Sequence, residues 1–233
     1  MHKQLEEFYY LLENNKIKEA EDFISNSLLS NPDDVLLLNN YGTVLLLKND
    51  FSNAIINFKK VIEIKPELYQ SYYNITYAYV RLFLYDEALI YIKKYFEYDL
   101  KNCDAYNILG IILLEKNMLD EAIHNFNKCI ELEIDFVKAY NSLGLAFYKK
   151  KDFEKSIFFF ENGIKFDPNF NILYFNLAKS YFENDEFIQA IKNIKVFLEK
   201  EPNHMKGRLL LGNCLFNIGK ISEHAEIKKV LFY

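Results

Sequence analysis

Apolar residues recur along this chain with the spacing of helices that bury one face. In the stretch 35–66, a first apolar set recurs every three or four residues, and a second set follows the polar residues 48–50. The first set is Leu38, Tyr41, Gly42 and Leu45, and the second is Ala54, Phe58 and Val61. This spacing places each set on one side of a helix. The stretch therefore predicts two antiparallel helices joined by a short turn, with Asp50 or Ser52 capping the second helix.

The same pattern returns every 34 residues. A small residue of the second helix recurs at that interval as Ala20, Ala54, Ala88, Ala122, Ser156 and Ala190. The 4 prolines of the chain share one repeat position, as Pro32, Pro66, Pro168 and Pro202. A proline there ends the preceding helix. Because one helix pair is too small to bury both apolar faces, the pattern predicts pairs stacked on one another.

The repeated residues resemble those of the tetratricopeptide repeat family. A good match comprises Tyr140, Leu143, Gly144, Phe147, Ser156, Phe160, Gly163 and Pro168. The resemblance implies an all-α fold, a right-handed α-solenoid superhelix of about seven antiparallel helix pairs. It covers residues 1–233 as a single array. The repeats are 1–34, 35–68, 69–102, 103–136, 137–170, 171–204 and 205–233, the last one partial and capping.

The last repeat departs from the pattern. Ala225 follows Gly212 by one residue more than in the other repeats, and Gly219 lies between the expected helices. The terminal stretch Val230–Tyr233 is apolar. It either covers the edge of the sixth repeat or contacts another chain, and the need to cap a solenoid end favours the first alternative.

Composition narrows the classes of partner and compartment. The 28 basic and 33 acidic residues give a net charge of −5, which argues against nucleic acid. The N-terminus does not resemble a secretory signal, and the apolar runs are too short for membrane insertion. The 3 cysteines form no CxxC pair, which fits reduced thiols and a cytoplasmic protein. Cys129 occupies a core position of its repeat.

Catalytic patterns are missing from the sequence. The histidines are isolated from one another and from any metal-ligand spacing; they are His2, His124, His204 and His224. No glycine-rich phosphate loop is present. We therefore predict no metal, no cofactor and no enzymatic activity.

The family resemblance implies that positions 2, 5, 6, 9, 12 and 13 of each repeat face a concave groove. Amides at these positions could pair with the backbone of a bound peptide, and aromatic rings could anchor its side chains. The candidate groove residues are Asn39, Asn40, Tyr73, Asn74, Tyr77, Asn107, Asn141, Tyr148, Asn176 and Lys179. Two alternatives to a binding role stay open: the amides could reflect amino-acid bias or the preference of the family, and the aromatic rings could pack in the core.

The expected function is a non-catalytic scaffold that binds a protein or peptide segment, extended or helical, as a monomer or with weak self-association. Acidic side chains predominate in the groove of repeats one to four and basic ones in repeats five to seven, which would orient a partner of opposite polarity. The Lys, Arg and Asn clamp that some family members use for chaperone tails is not matched. The alternatives are a self-associating assembly component and an accessory subunit of an enzyme complex.

Overall fold

The computed structural model describes residues 2–219, with side chains from residue 6 onward. Helices are the only regular secondary structure in residues 2–219. The helices are α1 (His2–Glu13), α2 (Ile17–Ser30), α3 (Val35–Leu47), α4 (Phe51–Ile64), α5 (Gln70–Arg81), α6 (Tyr85–Phe96), α7 (Cys103–Glu115), α8 (Leu119–Leu132), α9 (Val137–Lys149), α10 (Phe153–Phe166), α11 (Ile172–Glu183), α12 (Phe187–Lys200) and α13 (Met205–Asn217). Odd-numbered helices are the first helices of the repeats, and even-numbered helices are the second. The predicted all-α solenoid of helix pairs is confirmed.

The helix ends follow the local sequence. Helices α2, α4, α10 and α12 each end two residues before a proline, since proline cannot continue a helix. The side chain of Asp50 accepts a hydrogen bond from the Asn53 amide at 3.2 Å, so it is the predicted cap of α4. Asp152 caps α10 in the same way, through the Lys155 amide.

Contacts divide the chain into two compact units, Met1–Ile112 and Leu113–Tyr233, which we call unit 1 and unit 2. In unit 1 the core forms between successive helices around fully buried Phe58, Ile75, Ile92 and Tyr95. In unit 2 the core forms around fully buried Phe160, Leu173, Ile194 and Phe197. Cys129 is also fully buried, as its core position predicts.

Close packing within a pair depends on glycine in the first helix. A methyl group added to Gly42 would lie 2.7 Å from Cζ of Phe58, and one added to Gly144 would overlap the ring of Phe160. Such distances are far below van der Waals contact, so these two phenylalanine rings lie directly on the backbone of the first helix. Glycine at this position therefore serves the helix contact.

The turns inside the repeats share one unusual backbone conformation. One residue of each turn has a positive φ between 58° and 82°, and these residues are Asn15, Asn49, Phe83, Asn117, Lys151, Asp185 and Gly219. They follow one another at the 34-residue interval. Each turn thus ends its first helix with a left-handed residue, which reverses the chain into the second helix.

Some predictions fall on residues that the structure does not describe. The proposed capping element around Ala225 and the apolar stretch Val230–Tyr233 lie outside residues 2–219. The single array over residues 1–233 also stays a prediction.

Candidate peptide-binding face

Within each unit the first helices lie beside one another. Helix α3 contacts α5 in unit 1, and α11 contacts both α9 and α13 in unit 2. The motif residues of these helices are directed at the second helices and are largely buried. We call the side chains at positions 2, 5, 6, 9, 12 and 13 of the first helices the first-helix face. Some of these side chains are exposed, but most of those at position 6 are buried.

In unit 1, the amide of Asn39 bridges α3 and α5. The Asn39 Oδ1 accepts a hydrogen bond from Ser71 Oγ at 3.4 Å, and both residues line a cavity of about 380 Å³. Asn40 is 6% exposed, and its Nδ2 has no hydrogen-bond partner among the described residues. Asn74 is half-buried. Asn40 therefore retains a donor without a partner, and a buried donor of this kind is energetically costly.

The aromatic candidates of unit 1 contact groups of the protein itself. Tyr73 packs on Tyr95 with ring centroids 5.6 Å apart, and burial raises the pKa of the Tyr73 hydroxyl. The hydroxyl of Tyr77 accepts a hydrogen bond from Arg81 at 2.8 Å. The same guanidinium lies 4.8 Å from the centroid of Phe51. The arginine is therefore held in place by aromatic rings.

Asn107 lies on α7 and is 6% exposed. In unit 2, Asn176 Nδ2 donates to Asn141 Oδ1 at 2.9 Å, and Asn176 is 8% exposed. This bond joins α11 to α9, so these two candidate amides tie neighbouring repeats together. Asn141 is half-buried and presents the more accessible amide of the pair.

Tyr148 and Lys179 come together in unit 2. The Lys179 Nζ lies 4.6 Å from the ring centroid of Tyr148 and 6.0 Å from that of Phe175. Burial lowers the pKa of Lys179, Glu183 raises it, and Lys206 lowers it further. The Tyr148 hydroxyl donates to Glu183 Oε1 at 3.3 Å, and burial raises the pKa of Tyr148 to about 12. A partly desolvated cation thus lies close to two aromatic rings on the first-helix face.

Another lysine of unit 2 has a structural role. The Lys149 Nζ donates to the carbonyl of Leu114 at 3.2 Å and lies 3.4 Å from Glu115 Oε1. It therefore joins α9 to the end of α7.

Large hydrophobic side chains also remain exposed on the first-helix face. They are Tyr9, Leu36 and Leu47 in unit 1, and Ile172, Leu209 and Phe216 in unit 2. Exposed hydrophobic residues of the second helices, such as Ile90, Phe158 and Ile188, lie on other surfaces.

Sequence reasoning missed two of these arrangements. Ser71 occupies a packing position, and its bond to Asn39 depends on how α3 and α5 are juxtaposed. His204 is the N-cap of α13, where its Nδ1 accepts a hydrogen bond from the Gly207 amide at 3.0 Å. Histidine is an uncommon cap, so the pattern carried no signal for it.

Residues 2–219 contain neither a metal-binding cluster nor a membrane-spanning helix. No group of three or more His, Cys, Asp or Glu side chains there could hold a metal ion. None of the described helices combines the length and hydropathy needed to cross a membrane.

Known proteins match the chain at the level of its repeats. Tetratricopeptide repeat models match residues 36–68, 104–133 and 137–170. These stretches coincide with predicted repeats 35–68, 103–136 and 137–170. No curated protein matches the chain at a significant level.

Several solved structures share the fold. A tetratricopeptide repeat protein from Parabacteroides merdae ATCC 43184 is 18% identical with a TM-score of 0.79, over 100% of this chain and 93% of that one. The Cut9-Hcn1 structure of the APC/C has 20% identity and a TM-score of 0.80, over 91% of this chain. This chain spans only 42% of that one. YrrB, described as a TPR protein with an unusual peptide-binding site, has 19% identity and a TM-score of 0.60, over 79% of this chain and 95% of its own.

At sequence identities of 18% to 20%, similarity to these solved structures shows only that the fold is shared. The matched repeats and the common fold agree with the 34-residue register of the sequence. The chain belongs to the tetratricopeptide repeat family.

Proposed function

We propose that this chain is a non-catalytic scaffold that binds a peptide segment of a partner protein on its first-helix face. Repeats of this family generally serve protein–protein interaction and not catalysis. The observation that supports the proposal is the combination of groups on that face. Exposed hydrophobic side chains such as Leu209 and Phe216 share it with amides and with the half-buried Lys179. Apolar anchors and polar groups together are what a bound peptide needs.

The candidate residues have different parts in this proposal. Tyr77, Tyr148 and Lys179 are partly accessible and could contact a peptide directly. Asn40, Asn107 and Asn176 are buried, so a peptide would reach them less readily than these three side chains. YrrB, which has the same fold, is described as having a peptide-binding site. That description supports peptide binding as a function this architecture can perform.

Binding of defined peptides tests the proposal. Randomised 12-residue peptides carrying a fluorescent label would be titrated with the protein, and binding would be followed by fluorescence anisotropy. The double variant Leu209→Ser and Phe216→Ser should bind the pool at least about tenfold more weakly, because it loses two apolar anchors. The control Ile188→Ser removes a side chain that is 73% exposed on the second helix α12. Equal loss in both variants, with helicity retained, would contradict the proposal.

We further propose that the protein acts in the cytoplasm, binds no nucleic acid and is monomeric or weakly self-associating. The net charge of −5 opposes binding to a phosphate backbone. The thiols of Cys103, Cys129 and Cys214 are free and buried, which fits the reduced cysteines expected of a cytoplasmic protein. Multi-angle light scattering at increasing concentration tests the oligomeric state: a stable dimer at micromolar concentration would favour the assembly function instead.

A further inference from the structure

We propose that Lys179 and Lys206 form a subsite for an acidic side chain, an aspartate or glutamate inside the peptide that binds the first-helix face of unit 2. This inference rests on the proposed function and specifies the chemistry of the partner segment.

The surroundings of Lys179 leave its positive charge available to a bound peptide. Its Nζ lies against the ring of Tyr148, 4.6 Å from the centroid, and 6.0 Å from that of Phe175. The two rings restrict the side chain and remove part of its hydration. No carboxylate of the described residues lies within salt-bridge distance of this Nζ. A partly dehydrated ammonium without a carboxylate in salt-bridge distance gains more from an arriving carboxylate than a fully hydrated one does.

Lys206 adds a second positive charge to the same region. It lies in the first turn of α13, is exposed, and acts electrostatically on Lys179. Like Lys179, it has no carboxylate within salt-bridge distance among residues 2–219. Helix α13, which carries Lys206, contacts α11, which carries Lys179. An anion near both ammonium groups would be attracted by each of them. Charge complementarity therefore selects an acidic partner.

The carboxylate of Glu183 does not form an ion pair with Lys179, so the ammonium can accept an acidic partner. Glu183 raises the pKa of Lys179 from one turn along α11, but its carboxylate already accepts a hydrogen bond from the Tyr148 hydroxyl at 3.3 Å. Lys149 provides the contrast within the same unit, since Glu115 and a backbone carbonyl occupy its ammonium.

The polar neighbours favour a side chain over a peptide C-terminus. A terminal carboxylate is bound best where amide donors supplement the cations. The amide next to Lys179 on α11 is Asn176, and its Nδ2 already donates to Asn141. We therefore assign the subsite to an acidic side chain.

Three peptide pools test the assignment. The 12-residue peptides are randomised except for a central Glu, Gln or Lys, and their C-termini are amidated. The unmodified protein should bind the Glu pool about tenfold more tightly than the Gln pool, about 1.4 kcal/mol, and the Lys pool most weakly. Lys179→Met and Lys206→Met should each bring the Glu and Gln affinities close together, with little change for the Gln pool.

Matched variants control for unrelated effects. Lys155→Met removes a lysine of α10 whose Nζ lies 5.3 Å from the Phe147 centroid and 2.8 Å from Asp152; it should keep the Glu preference. Lys179→Arg retains the charge and should keep it too. The exposed Lys206 provides a second test if Lys179→Met proves unstable.

The outcomes separate this inference from the proposed function. Equal binding of the Glu and Gln pools by the unmodified protein would overturn the subsite and leave peptide binding intact. Tighter binding of a Gln pool with free C-termini, without a preference for central Glu, would assign the cations to a terminal carboxylate and overturn the side-chain assignment. Absence of binding for every pool would contradict the proposed function and the subsite together.

Discussion

The turn position with positive φ shows how single residues adapt to a repeated backbone. Asn, Asp and Gly are the residues that adopt this conformation most easily, and they occupy five of the seven turns. Lys151 and Phe83 occupy the other two, and Phe83 has a φ of 60° and is 75% exposed. Its ring meets Tyr85 edge-on at 6.4 Å. A left-handed conformation costs such a residue about 1–2 kcal/mol, and this packing offsets little of that cost.

Replacing Phe83 by Asn should therefore stabilise the protein by about 0.5–1 kcal/mol, because Asn tolerates the left-handed conformation. Urea unfolding followed by circular dichroism would measure the change. Phe83→Val is the control, since a β-branched residue is more strained at the same φ and should lower stability. A loss of stability in Phe83→Asn would contradict the strain assigned to this turn.

The pKa of Lys179 reports directly on its surroundings. Lys206→Gln removes a positive charge that lowers this pKa, so the pKa should rise. Glu183→Gln removes a negative charge that raises it, so the pKa should fall. NMR titration of the lysine side-chain carbons would measure both shifts. Shifts of the opposite sign would show that the three groups do not interact as described.

The structural role of a residue could be predicted from the sequence when its side chain acts within its own repeat. Asp50 and the prolines were predictable because a cap or a helix stop is set by nearby sequence. The bond between Asn141 and Asn176 was not, since it joins residues of different repeats. The strain at Phe83 was hidden too, because the hydrophobic pattern carries no information on φ.

At the scale of helix pairs, the glycine of the first helix and the aromatic residue of the second vary together. Gly42 and Gly144 accompany Phe58 and Phe160, whose rings lie against them. Repeats with isoleucine in place of that phenylalanine carry a larger residue than glycine. These pairs are Phe8 with Ile24, Thr76 with Ile92, and Ala178 with Ile194. The size of one side chain thus compensates for that of the other.

Gly144→Ala should destabilise the protein by about 1–3 kcal/mol, because its methyl group would overlap the Phe160 ring. Adding Phe160→Ile should recover part of that loss and reproduce the pair found at Ala178 and Ile194. Urea unfolding of the two single variants and the double variant forms a double-mutant cycle. Strictly additive effects would contradict the compensation.

Across the whole molecule, the repeat predicts the architecture but leaves the partner open. The small residues and the Phe or Ile residues of the second helices that recur every 34 positions are buried between helices, so they specify the fold. Those that vary lie on the first-helix face and carry the proposed specificity. The binding role of that face follows from the family resemblance and stays a prediction. The grouping of Lys179 with Tyr148 and Phe175 was not predictable from the sequence, because it needs the packing of α9 against α11.

The proposed function is tested most directly by locating the site at which a peptide binds to the protein. Two-dimensional NMR of the isotope-labelled protein, titrated with the Glu-centred peptide pool, would report which residues change their environment. We predict that the largest chemical-shift changes occur on the first helices, including Leu209, Phe216 and the side chain of Lys179. Changes confined to second-helix residues such as Phe158 and Ile188, or no changes at saturating peptide, would contradict binding on the first-helix face.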